Sequence, residues 1–117
     1  MKYLCLIYDD EQQWQKFPKE VQDKYMGEYM QFTDSIKKAG QLVGSNQLQP
    51  SHTATTVRIR NGKVSTTDGP FVETKEQLGG YYLIEAKDLN DAIQVASRIP
   101  SARSGVIEVR PVVERPA

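Results

Sequence analysis

Asp68-Gly69-Pro70-Phe71 is followed closely by Glu73, Lys75 and Glu76, and this block holds most of the chain's suggestive chemistry. A carboxylate held rigidly at a pocket mouth has its pKa raised by desolvation, into the range of a general base. Turn chemistry accounts for the same four residue types. Asp accepts backbone N–H bonds, Gly permits positive φ, Pro fixes φ, and Phe anchors the turn in a core. Both readings of Asp68 stand. Glu73, Lys75 and Glu76 can bind a polar ligand or polarise a carbonyl. They also suit a solvated loop, where ion pairs contribute little. His52 is the only histidine, and it can serve as acid, base or switch near pH 6.5. Beside Ser51 and Thr53 it equally suits an ordinary exposed position. Glu108 and Arg110, two apart on a strand, share a face. They can clamp an anionic ligand with the guanidinium fork or form a structural ion pair.

Tyr81 and Tyr82 follow Gly79-Gly80. Alternation sends the two rings to opposite sheet faces, one toward a helix and one toward an opposing surface. No phosphate-loop or dinucleotide glycine pattern is present. Cys5 lies in an apolar run and reads as a small buried hydrophobe. Trp14 and Phe17 either staple a polar segment to the body or line a lid. Arg58 and Arg60 are a slight footprint for nucleic acid in a chain of zero net charge.

The elements that must position these groups follow from periodicity. Residues 2–8 form a short apolar run ended by Asp9-Asp10, a strand buried on both faces. Residues 9–17 are polar. From Pro18 to Ala39, Val21, Tyr25, Phe32 and Ile36 recur at helical spacing, flanked by Met26, Tyr29 and Met30, and Gly40 supplies the stop. Residues 41–48 read as a strand. Residues 53–60 alternate, with Val57 and Ile59 opposite Arg58 and Arg60. Asn61-Gly62 predicts a tight hairpin with residues 63–67. Gly79-Gly80 opens a strand over 81–85. Asp88 caps a second helix whose stripe is Leu89, Ala92, Ile93, Ala96 and Ile99, ended by Pro100. Residues 105–110 form the last strand.

The order predicts one domain over residues 1–117, an α+β ferredoxin-like β-α-β-β-α-β sandwich with an added β-hairpin. Two helices cover one face of an open sheet. The first strand and residues 81–85 are apolar on both faces, which predicts a homodimer. Fifteen Lys and Arg balance fifteen Asp and Glu, so charge gives no sign of direct nucleic-acid or membrane binding. One cysteine and one histidine exclude an intrachain disulfide and multi-Cys or His-rich metal sites. No metal or cofactor is expected. The apolar start is too short for a signal peptide or membrane span, and a cytoplasmic location is expected.

Four blocks resemble the YCII-related, DGPF-motif family. They are Asp68 to Phe71, Glu73 to Glu76, Gly79 to Tyr82, and Ile107 to Pro111, and the opening Met1 to Tyr8 is similar as well. The resemblance implies a dimeric α+β barrel, with two four-stranded sheets face to face. Its YCII branch carries a histidine on the first helix facing an aspartate before the last strand. Here the first helix has no histidine and Arg98-Ile99-Pro100-Ser101 has no acid, so that dyad is not carried over. The DGPF branch implies a link to extracytoplasmic-function sigma factors. Three functions follow as expectations. The first is a small-molecule-binding or regulatory homodimer, with Phe71, Glu73, Lys75, Tyr82, Glu108 and Arg110 at the ligand. The second is a metal-free lyase or isomerase with Asp68 as base, helped by His52, Lys75 or Arg110. The third is a purely structural interaction protein whose dimer face is its whole purpose.

Overall fold

Alternate residues of the first strand face two environments, and this organises the sheet. In the computed structural model, which describes residues 1–116, β1 spans Lys2–Asp9. Tyr3, Cys5 and Ile7 are buried, while Leu4, Leu6 and Tyr8 point the other way and stay partly exposed. β1 pairs antiparallel with β5 (Gln77–Glu85) on one side and β6 (Val106–Pro111) on the other. β2 (Leu42–Gln47) adds to the far edge of β5, giving the order β2-β5-β1-β6. β1 and β2 therefore run parallel with β5 between them, and β5 and β6 run parallel with β1 between them. That interleaving is the ferredoxin-like α+β fold.

Two helices cover one face. α2 (Lys19–Lys38) contributes Phe32 and Ile36, and α3 (Leu89–Ser97) contributes Ala92, Val95 and Ala96. They pack on Tyr3, Cys5, Ile7, Tyr82 and Ile84. α2 ends in a Schellman motif: the Gln41 N–H donates to the Ile36 carbonyl and the Gly40 N–H to the Lys37 carbonyl, with Gly40 at φ 73°. Asp88 caps α3, its carboxylate accepting from the Asp91 N–H. The expected α3 stripe is corrected at two places. Leu89 and Ile93 are exposed, and Val95 is buried instead. The helix has only nine residues, so its core contact is confined to one turn-and-a-half.

Four further elements depart from the periodicity. α1 (Glu11–Lys16) stands where a polar stretch was expected. It has no buried residue and so no apolar stripe to betray it. Asp10 caps it, accepting from the Gln12 and Gln13 N–H groups. β5 begins at Gln77, ahead of Gly79-Gly80, because β1 continues past a register shift to pair Tyr8 with Leu78 and Asp9 with Gln77. Short 3₁₀ turns occupy Ser51–Thr53 and Pro100–Arg103. Among the described residues, no helix is long and apolar enough to cross a membrane.

The hairpin of β3 (Thr55–Arg60) and β4 (Lys63–Asp68) is a separate two-stranded sheet. Asn61 and Gly62 take φ 53° and 74°, the type I′ turn that Asn-Gly predicts. The hairpin projects from the body, and the radius of gyration is 16.3 Å. A compact chain of this length is expected near about 13 Å.

Glycine is required where β6 starts. A Cβ at Gly105 would stand 2.1 Å from the Tyr8 carbonyl oxygen, and one at Gly44 would meet nothing within 4 Å. Gly105→Ala should therefore cost about 1–3 kcal/mol or more in urea unfolding, through forced separation of β1 and β6. Gly44→Ala should stay within about 0.5 kcal/mol of the parent, the usual range for an uncrowded surface site.

Candidate functional site

The chain turns sharply where β1 gives way to α1, and two cavities adjoin there. Asp9 ends the strand and Asp10 caps the helix. The smaller cavity, of about 30 Å³, is lined by Asp9, Asp10, Trp14, Tyr25, Tyr29 and Ser101, among others. That is room for about one or two waters. The larger cleft, of about 490 Å³, is lined by Asp10, Glu11, Gln12, Ser51, Thr74, Lys75 and Gln77. Asp10 belongs to both.

The walls are fixed by contacts between distant segments. Both Glu11 carboxylate oxygens are held by Ser51, one by its N–H and one by its hydroxyl, each at 2.7 Å. This joins α1 to the first 3₁₀ turn. The Gln22 side-chain amide donates to the Trp14 carbonyl at 2.9 Å, joining α1 to α2. Trp14 sits edge-on to Tyr25 with ring centres 5.9 Å apart, and Phe17 lies nearly parallel to Tyr25 at 6.1 Å. The two aromatics of the first loop are thus staples against α2, as one reading of the sequence had it. The Arg103 guanidinium lies 5.4 Å over the Tyr25 ring and is paired with Glu28.

Behind this wall the Tyr29 hydroxyl donates to the Ser101 hydroxyl at 2.5 Å. Burial pushes the Tyr29 phenol up, and the Ser101 bond opposes this more weakly. Tyr29 therefore keeps its proton at neutral pH, and its hydroxyl can donate. The Asp9 carboxylate accepts from the Ser104 hydroxyl at 3.3 Å and from the Asp10 N–H at 2.9 Å. The histidine–aspartate dyad of the YCII branch is not carried over to this chain. Instead Tyr29 of α2 meets Ser101 in the 3₁₀ turn before β6. Tyr29 and Ser101 escaped the sequence reading because they lie 72 residues apart. The adjacent acids Asp9-Asp10 at a strand end were the only local signal.

The residues singled out from sequence scatter. Lys75 lines the larger cleft, Trp14 and Phe17 line the smaller cavity, and Asp68, His52, Phe71, Glu73, Tyr82, Glu108 and Arg110 line neither. Asp68 is exposed at the end of β4, opposite Thr55, and its carboxylate accepts no hydrogen bond among the described residues. The turn it starts is nevertheless built by backbone. Gly69 at φ 102° donates its N–H to the Ala54 carbonyl at 2.7 Å and accepts from the Thr56 hydroxyl at 2.9 Å. Phe71 does not anchor a core: it is 74% exposed, with the Arg58 guanidinium 5.5 Å over its ring. Glu73 and His52 are exposed as well. The loop after Phe71 is held by the Gln77 side-chain amide, which donates to the Val72 and Thr74 carbonyls. Tyr82 is corrected from a ligand contact to a core residue. Its hydroxyl bonds that of Thr33 at 2.6 Å and its ring meets Phe32 edge-on. Glu108 and Arg110 pair at 2.6 Å on the sheet face away from the helices, facing neither cavity. Asp68, His52, Lys75 and Arg110 therefore do not converge on one point within the chain. Cys5 is buried and its thiol is pushed up to about 11, so it is inert near neutral pH. Among the described residues, no group of three His, Cys, Asp or Glu side chains could hold a metal ion.

The YCII-related domain matches residues 1–115. An uncharacterized protein of Rhizobium meliloti (strain 1021) is 36% identical over 114 residues, covering 96% of this chain and 92% of the relative. The chain belongs to the YCII-related family.

Tyr29→Phe should cost about 1 kcal/mol or more, because Ser101 is left buried without its donor. It should also change the alkaline profile. A phenol with a raised native pKa stabilises the fold fully below its unfolded value, about 10. That stabilisation is lost as pH climbs through the native value. Tyr82 is raised too, by burial, so Tyr29→Phe should remove part of the alkaline loss of melting temperature and leave the rest. Thermal melts between pH 8 and 11 (bracketing the ordinary tyrosine pKa of about 10) check this.

Proposed function

We propose that this protein is a homodimeric small-molecule-binding protein whose ligand sits in the Asp10–Lys75 cleft. The cleft itself carries the proposal. Its volume of about 490 Å³ falls in the range of small-ligand sites, about 300–1,000 Å³. Its lining is polar, and Lys75 is its one cation. The Glu11 carboxylate is occupied by Ser51, and one Asp10 oxygen by the α1 cap. A polar metabolite suits this lining if it has a carboxylate or carbonyl for Lys75 and hydrogen-bonding groups for Gln12, Thr74 and Gln77. The resemblance to the DGPF branch supports a regulatory setting in the cytoplasm beside an extracytoplasmic-function sigma factor. Dimerisation is supported by the sheet face away from the helices. Leu4, Leu6, Tyr81 and Leu83 form its partly exposed centre, with Glu85, Glu108 and Arg110 around them. An apolar centre with a polar rim is how subunit interfaces are built.

A lyase or isomerase is the second reading, favoured by the proton-retaining Tyr29 beside Asp9. Its acid–base pair would be Tyr29 and Asp9, in place of Asp68 and His52.

A thermal-shift screen against a metabolite library tests the proposal. A ligand at one hundred times its Kd should add about 2.7 kcal/mol. The shift should vanish in Lys75→Ala, whose exposed side chain makes no hydrogen bond or ion pair among the described residues, and persist in Asp68→Ala. Hits that survive Lys75→Ala would remove the cleft as the site. Turnover lost in Tyr29→Phe with binding retained would favour the enzyme.

A further inference from the structure

The β3–β4 ribbon has two chemically distinct faces. Strand pairing sets Val57 opposite Thr66, Ile59 opposite Val64 and Thr55 opposite Asp68. Side chains on paired residues share a face. One face therefore carries Val57, Ile59 and Val64, with Asp68 at its base. The other carries Arg58, Arg60 and Lys63. The charged face meets the rest of the chain, where Arg58 covers Phe71. On the apolar face Val57 is 61%, Ile59 62% and Val64 68% exposed. A lone two-stranded ribbon is marginally stable in water. One-sided apolar patterning marks a surface that is covered in the working protein.

We propose that this ribbon is an arm that lays its Val57–Ile59–Val64 face on a second copy of this chain. The inference rests on the dimer reading and adds the contact the arm makes. Charge selects the occupant. Three of the fifteen basic residues and one of the fifteen acidic ones, Asp68, lie in Thr55–Asp68, which leaves twelve against fourteen elsewhere. Arms repel one another and are drawn to the acidic remainder of a second copy. Two-fold symmetry lets each copy give one arm and receive one, covering both. The Asp68-Gly69 turn then has a defined task. It fixes the base of the arm through the Gly69–Ala54 and Thr56–Gly69 bonds and brings Asp68 to the edge of the partner.

Hydrogen exchange of the full chain, read by mass spectrometry above and below the dimer dissociation constant, tests the arm. Residues 55–68 should exchange at least about tenfold more slowly in the dimer, the scale of amides that gain a buried hydrogen-bonded setting. The double variant Ile59→Asp/Val64→Asp should weaken the dimer by about tenfold or more in sedimentation, as loss of a buried apolar anchor does. Its circular dichroism should stay unchanged. A dimer whose arm exchanges equally fast at both concentrations overturns the arm and leaves the dimer standing. So does a variant that dimerises as tightly as its parent. An arm already protected in the dilute monomer overturns it as well. A chain that is monomeric at every concentration overturns both readings. Should the variant fail to fold, exchange in the parent protein decides alone.

Discussion

The central constraint is the alternation of β1 between a buried face and a partly exposed one. It pairs with β5 on one side and β6 on the other, both from the second half of the chain. Its inward residues Tyr3, Cys5 and Ile7 carry the helices, and its outward residues Leu4, Leu6 and Tyr8 carry nothing within the chain. Close approach is enforced at its end, where Gly105 lies against the Tyr8 carbonyl. The strand can go no further as a strand. Asp9 and Asp10 turn it into α1, and that corner creates both cavities. Fold and site are one consequence of the same strand.

Much of this was legible in the sequence, because the signals were local. The apolar run at 2–8, the helical spacing from Val21 to Ile36 and Asn61-Gly62 each specify an element without help from elsewhere. What stayed hidden was set by contacts between distant residues. α1 has no apolar stripe and is held instead by the Asp10 cap and the Glu11–Ser51 pair. β5 starts early because β1 supplies partners for Gln77 and Leu78. Tyr29 read as a flank of a helix stripe, and nothing near it in sequence announces Ser101.

The most suggestive motif proved the least chemical within the single chain. Asp68, Gly69, Pro70 and Phe71 build a turn at the foot of a projecting ribbon, and the Asp68 carboxylate faces solvent. Residue type alone could not separate a turn aspartate from a base, since both need a rigid carboxylate. Burial and partners separate them. The same turn gains meaning if the ribbon reaches a second copy, because its rigidity then aims an arm. Two apolar surfaces, the outer sheet face and the ribbon, are left bare by one chain. Burying both against a symmetric copy accounts for each without a further partner.

The claim that two copies complete the molecule is tested most directly by its mass in solution. Sedimentation equilibrium of the unmodified protein at micromolar concentration should return twice the 13.2 kDa chain mass. A value of 13.2 kDa that holds as concentration rises would contradict it, and would mean that both apolar faces are bare in the working protein.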